Sequence, residues 1–291
     1  MGDQELPRNP PREAAVRRAF LRRGAAAALA LALPAARAAQ GGDWARIRQR
    51  GSLVVGLYQE MPPFHDGGRG IDADLGRALA AEMGLGFSAL PFAAGENMGD
   101  DLRNMVWKGH YLGWGPADVL LHVPLDPPLL RDNPQVRVLA PYYRERVLIA
   151  FDRRRLPALD AISALRGQPV AVAGLSLAGW LLIGAEGGLL REHLQTRMAD
   201  GVAAAAALQR GEVVAAAGLA SELESVLGGD ERFALQPLPL PRAPRDGWAV
   251  GCAVRKDATE LATGLQQAMA ALRADGRLQA IFRRHRVEPL L

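Results

Sequence analysis

Apolar runs of strand length alternate with helix-length stretches twice along this chain, and that alternation limits the fold more than any other feature. It is the pattern of a mostly parallel sheet covered by helices. The first cycle opens with "SLVVGLY" at 52–58, a β-rich run after Gly51. A helix is predicted at about 72–83, where apolar positions fall near helical period and Gly84 is the stop. A strand at 86–92, a helix at 97–108, a buried strand at 117–123 and a further strand at 143–151 follow. The second cycle has a strand at 168–174, a helix from Ser176, an alanine-rich helix at 200–211 closed by Gly211, a strand at 212–218 and a short helix at 220–228. The proline-rich stretch 236–245 cannot lie in a central strand. A last strand at 247–255 precedes one or two amphipathic helices over 257–284, broken at Asp275-Gly276. Residue patterns alone thus reach two α/β units with a ligand crevice at the carboxyl ends of their strands.

Charge argues against nucleic acid as a partner. The formal net charge is +4, but residues 1–38 hold seven arginines against three acids and account for all of it. The remainder is near neutral and has no Lys/Arg block to follow a phosphate backbone. The same segment reads as an export signal. Arg17-Arg18-Ala19-Phe20-Leu21-Arg22-Arg23 ends its basic part, Gly24 to Leu33 is apolar, and Ala36-Arg37-Ala38 is a small-residue cleavage site. The apolar part is shorter than the roughly 20 residues that span a bilayer. The Arg-Arg-x-Phe-Leu run resembles a twin-arginine signal; a general secretory signal is the alternative. Cleavage after Ala38 leaves no cysteine to lipidate, so the product is expected free in the periplasm.

The lone cysteine, Cys252, permits no internal disulfide and reads as a buried small apolar residue. The five histidines show no metal-ligand spacing, and neither metal nor cofactor is expected.

Several stretches taken in order resemble the small periplasmic solute-binding proteins of polar-amino-acid transporters. "GSLVVGLYQEMPPF" resembles their opening strand and loop, and "GIDADLGRALAAEMG" the helix after it. "APYYRERVLIAF" is similar to the first inter-lobe crossing, and "LRGQPVAVAGLSLAGWLL" to the start of lobe two. "GWAVGCAVRKDATELATGLQQAMAALRADGRLQAIFRRH" resembles the return crossing and terminal helices. The resemblance implies a two-lobed periplasmic-binding-protein fold of type II. Each lobe would be a mixed, mostly parallel α/β sheet flanked by helices, joined to the other by two crossover hinge strands. Lobe one would comprise 39–143 plus 248–291, and lobe two 144–247. It also implies a monomer that binds a small-molecule ligand and hands it to an ABC permease in the inner membrane.

Carried onto these residues, the resemblance marks Tyr58, Glu60 and Phe64 in the opening strand and loop as ligand contacts. The family's carboxylate-binding arginine has no exact counterpart: Arg131 is nearest, one place out of register in "HVPLDPPLLRDN", without the accompanying threonine. That matters because a bidentate arginine–carboxylate pair fixes both energy and orientation. In lobe two, Gly174-Leu175-Ser176-Leu177 stands where the family has an anion-binding helix start, so Ser176 is either a ligand contact or an ordinary N-cap. The aspartate that usually takes the ligand's α-amino group falls at Gly218, which would leave a buried ammonium with no carboxylate. An ordinary α-amino acid is therefore not the expected ligand. Trp107 to Pro116 resembles an insertion rich in aromatic rings and glycine; Trp114 in it, Trp180 near the lobe-two helix start, and His122 after a buried strand are further ligand-binding candidates, each with a packing role as the alternative.

Two other functions stay open. "LRNMVWKG", "ADVLLHVP" and "PYYRE" also resemble solute-binding-like proteins that accompany PQQ-dependent alcohol dehydrogenases, which implies a periplasmic quinoprotein partner. An enzyme on the same scaffold, similar to a cyclohexadienyl dehydratase, would need a general acid in the crevice. Glu60, Asp66 and His122 are the candidates, and the sequence provides none with an evident partner, so no catalysis is expected.

Overall fold

The computed structural model describes residues 43–289; the segment read as an export signal lies outside them. After helix α1 (Asp43–Arg50) the chain forms β1 (Ser52–Tyr58), α2 (Ile71–Glu82), β2 (Gly86–Phe92), α3 (Met98–Leu102, continued by a π-helical turn Arg103–Trp107), β3 (Val119–Pro124), α4 (Pro127–Asp132) and β4 (Val136–Glu145). Then come β5 (Val147–Asp152), β6 (Val170–Val172), α5 (Leu177–Ile183), β7 (Leu194–Gln195), α6 (Gly201–Gln209), β8 (Ala215–Leu219), α7 (Ala220–Leu227) and β9 (Phe233–Pro237). The chain finishes with β10 (Trp248–Arg255), α8 (Thr259–Ala274) and α9 (Arg277–Arg284).

These strands make two five-stranded sheets of matching order, β2-β1-β3-β10-β4 and β7-β6-β8-β5-β9. In each, three strands are parallel and one central strand runs against them. Successive residues of β5 feed opposite faces, as strand geometry dictates. Val147, Ile149 and Phe151 join one core cluster, while Leu148 and Ala150 join the other. A strand covered on both faces reads as an unbroken apolar run, which is what "VLIAF" is. Alanines Ala216 and Ala171 let the alanine-rich α6 settle closely on the second of these clusters.

The register brings the carboxyl ends of both sheets together. Glu145, at the end of β4, pairs with Trp248, and Val147, at the start of β5, pairs with Leu219 at the carboxyl end of β8. Pro124, at the carboxyl end of β3, pairs with Val250. The carboxyl ends of the parallel strands in both sheets therefore meet at one junction, crossed at 145–147 and again before β10. Helices α2 to α4 and α5 to α7 all begin there.

One expectation needs correction. The run read as one strand at 143–151 belongs to two strands in different sheets, with Arg146 between them; one residue of extended chain is too short a gap for a strand pattern to reveal. The stretch after β3 forms a helix, because Asp126 accepts from Leu129 N at 3.0 Å and the two prolines occupy its first turn. In keeping with the exclusion of 236–245 from a central strand, β9 ends on Pro237 and lies at the sheet edge, where a missing donor is tolerated. Cys252 is buried as expected.

Gly247, at the second crossing, has φ 61°, and a Cβ there would overlap the carbonyl of Glu145. Gly247→Ala is expected to lower stability by about 2–4 kcal/mol, from left-handed backbone strain plus overlap. Denaturant unfolding checks this; an unchanged midpoint would contradict the geometry.

Candidate functional site

The lobe-one side of the crevice is shaped by two irregularities in one sheet. Between the pairs Gly251↔Val123 and Ala253↔Leu120, two residues of β3 face one of β10. Between Val250↔Tyr143 and Cys252↔Leu139, three residues of β4 face Gly251. Such bulges re-aim side chains. His122 takes a left-handed backbone at φ 63°, and Ala140 does so at φ 50°.

The re-aimed groups meet a carboxylate at the start of α2. The Tyr142 hydroxyl donates to Asp72 Oδ1 at 2.7 Å and accepts from His122 N at 2.8 Å. His122 Nδ1 faces Asp72 Oδ2 at 3.5 Å and makes no hydrogen bond among the described residues. The imidazole packs against Phe64 at 4.0 Å between ring centroids, and its side chain keeps 12% exposure. Burial and the Asp72 charge push the Tyr142 phenol well above its ordinary range.

At the first crossing, the buried Glu145 accepts from Ser221 Oγ at 2.5 Å, from Ser221 N at 3.3 Å and from Arg146 N at 3.0 Å. Burial raises its carboxyl pKa; these hydrogen bonds and nearby His122 work in the opposite direction. Arg146 reaches Glu224 Oε1 at 3.2 Å, and Glu224 also accepts from Glu288 N at 2.9 Å, which ties the chain end to α7.

On the lobe-two side, Ser176 is the N-cap of α5: its hydroxyl accepts from Gly179 N at 3.1 Å and donates to Ala173 O at 2.7 Å. Asp200 caps α6 through Ala203 N at 2.7 Å. Glu222, in the first turn of α7, folds back to accept from Gly201 N at 3.1 Å and Leu219 N at 2.8 Å. Its Oε2 lies 2.9 Å from where a Cβ on Gly218 would sit. The carboxylate that Gly218 lacks thus reaches the same place from four residues on.

The other sequence candidates are scattered. Tyr58 turns into the lobe-one core, where its hydroxyl donates to Asp101 Oδ2 at 3.1 Å. Phe64 is buried beside His122, whereas Glu60 is exposed with φ 52°. Trp114 stacks on His110 at 4.1 Å and lies 6.4 Å from Phe92, so it covers the core edge while Tyr111 projects at 87% exposure. Arg131 is exposed in α4 and makes no polar contact among the described residues. Trp180 is 71% exposed on α5, in an apolar face with Leu175 and Leu177. Asp72, Tyr142, Glu145, Ser221 and Glu222 escaped the sequence reading. Gly251 inside a strand pattern was the available signal for the bulges.

No family model and no curated protein matches the chain. Solved structures do. An ancestral cationic amino-acid solute-binding protein is 18% identical, with 83% of this chain and 98% of that one covered at a TM-score of 0.64. The chain has the two-lobed periplasmic-binding-protein fold. An amino-acid ABC-transporter substrate-binding protein from Streptococcus pneumoniae, bound to L-arginine, is 19% identical over 82% of this chain and 95% of that one, at TM-score 0.55. A histidine kinase sensor domain with similarity to periplasmic binding proteins is 22% identical over 82% and 98%, at 0.51.

Tyr142→Phe would strip the buried Asp72 of its hydroxyl donor and His122 N of its acceptor. A loss of about 2–3 kcal/mol is expected in denaturant unfolding. A loss below ~0.5 kcal/mol would mean that this network does not hold the lobe-one floor.

Proposed function

We propose that the protein captures a small solute in the crevice between its lobes and delivers it to an ABC permease. The observation that carries this reading is the convergence of six helix starts and two sets of parallel-strand ends on a junction that the described residues cross twice. A pair of adjacent crossings is a hinge, and hinged lobes bury a ligand by closing on it. The solved relatives with this fold include proteins described as amino-acid substrate-binding proteins. Export to the periplasm through a cleaved signal and a monomeric state accord with this role.

The ligand is not an ordinary α-amino acid. A charged fork for its carboxylate is missing from lobe one, where Arg131 is exposed and engages nothing among the described residues. The Tyr142–Asp72 hydrogen bond, with His122 Nδ1 3.5 Å from the same carboxylate, gives lobe one a neutral-donor polar floor in its place.

Thermal unfolding of residues 39–291 against amino acids, amines, carboxylates, alcohols, aldehydes and sulfonates tests the reading. A ligand at a hundred times its Kd adds about 2.7 kcal/mol, or about 5–10 °C for a chain of this size. A shift with one chemical class is expected. A flat panel from a well-folded sample would contradict solute capture.

A second reading, as the periplasmic partner of a quinoprotein dehydrogenase, is favoured by one observation. Tyr111 and Leu112 project from a loop held by His110 N donating to Trp114 O at 2.8 Å, an exposed apolar tip set on a fixed base. Co-purification with a dehydrogenase from periplasm would support it, and loss of that association in Tyr111→Ser would locate it.

A further inference from the structure

A hollow of about 430 Å³ opens between the loop after β1, the end of α9 and α7, with Asp66, Arg69, Ser225, Arg284, His285 and Arg286 in its wall. None of the crevice groups His122, Ser176, Gly218 and Glu222 lines it. Three arginines thus stand with one aspartate around a concave surface. The further acid within reach, Asp74, is already shared: its Oδ2 accepts from Arg284 at 2.9 Å and lies 3.1 Å from His285 Nε2, while its Oδ1 accepts from Arg77 at 3.2 Å. Arg69 and Arg286 make no side-chain polar contact among the described residues. Fixed turns present both. Arg69 closes a tight hairpin over Gly67-Gly68, exchanging backbone hydrogen bonds with Asp66 at 2.8 and 2.9 Å. Arg286 takes a left-handed backbone at φ 59°, held there because Val287 is buried and Glu288 N donates to Glu224 at 2.9 Å. Ser225 spends its hydroxyl hydrogen on Glu222 O, so it supplies wall and not a donor. A concave site with surplus guanidinium groups concentrates positive potential, and the guanidinium fork matches carboxylate and phosphate oxygens.

We infer that this hollow is a second binding site, separate from the crevice, for a small anion with two or more negative charges. Arg69 and Arg286 supply its free guanidinium groups, and Arg284 adds charge that Asp74 only partly neutralises. Because α7 forms part of the wall, a bound anion lies against both lobes. The inference stands whether or not a solute enters the crevice.

Calorimetric titration of the protein with inorganic phosphate, citrate and acetate at constant ionic strength tests this. Direct binding is the proper readout, since phosphate and citrate stabilise folded proteins by exclusion from their surfaces. Saturable binding of citrate or phosphate is expected, with acetate at least about tenfold weaker. Arg69→Gln combined with Arg286→Gln is expected to cost the polyanion at least about tenfold in affinity. Both positions are exposed, so the double variant should fold normally, and its unfolding temperature without anion checks that. Should it fail to fold, Arg69→Gln alone is the substitute, with the same loss in direction. Saturation by phosphate and not citrate assigns a phosphoryl ligand, and the reverse assigns a polycarboxylate; either supports the site. No saturable binding of either polyanion, acetate binding as tight as theirs, or polyanion affinity unchanged in the folded variant would overturn it, the last by placing the anion elsewhere.

Discussion

Two strand crossings lying side by side govern this molecule. Glu145 pairs with Trp248 in one sheet, and two residues later Val147 pairs with Leu219 in the other, so the chain passes between the sheets through Arg146 alone. Each sheet has its own apolar clusters, which leaves the crossings as the place where relative motion is least costly. The chain invests in that place. Glu145 is buried with a serine hydroxyl and two backbone N–H groups on its carboxylate, and Gly247 takes a backbone that a side chain would strain.

The chemistry on either side of the junction comes from departures from regular structure. In lobe one, bulges opposite Gly251 and Cys252 turn Tyr142 and His122 toward Asp72, and the left-handed backbone of His122 is held by the Tyr142 hydroxyl. In lobe two, glycines at 201 and 218 open a space that a glutamate one helical turn away fills. The left-handed backbones at His122 and Ala140 and the glycines at 201 and 218 lie beside the polar groups they help to place.

The alternation of strands and helices was plainly legible in the sequence, because apolar runs such as "SLVVGLY" and "GFSALPF" are bounded by glycine and match β1 and β2 residue for residue. The division of 143–151 between two sheets is not legible, since a single residue, Arg146, separates β4 from β5 and leaves the extended run unbroken. The site was harder to read for a related reason. At the strand end the sequence has only Gly218; the carboxylate at that spot comes from Glu222 and depends on how a helix start folds back. His122 was visible, but Asp72 and Tyr142, its partners, are 50 and 20 residues away and meet it only through the bulges.

The hinge itself is tested most directly by a distance between lobes. Spin labels on Arg131→Cys in lobe one and Arg191→Cys in lobe two, both exposed positions, report it without interference from the buried Cys252. With a solute that raises the unfolding temperature present at saturation, closing lobes require the distance distribution to shorten and sharpen. An unchanged distribution with that solute bound would contradict a crevice that works by closure.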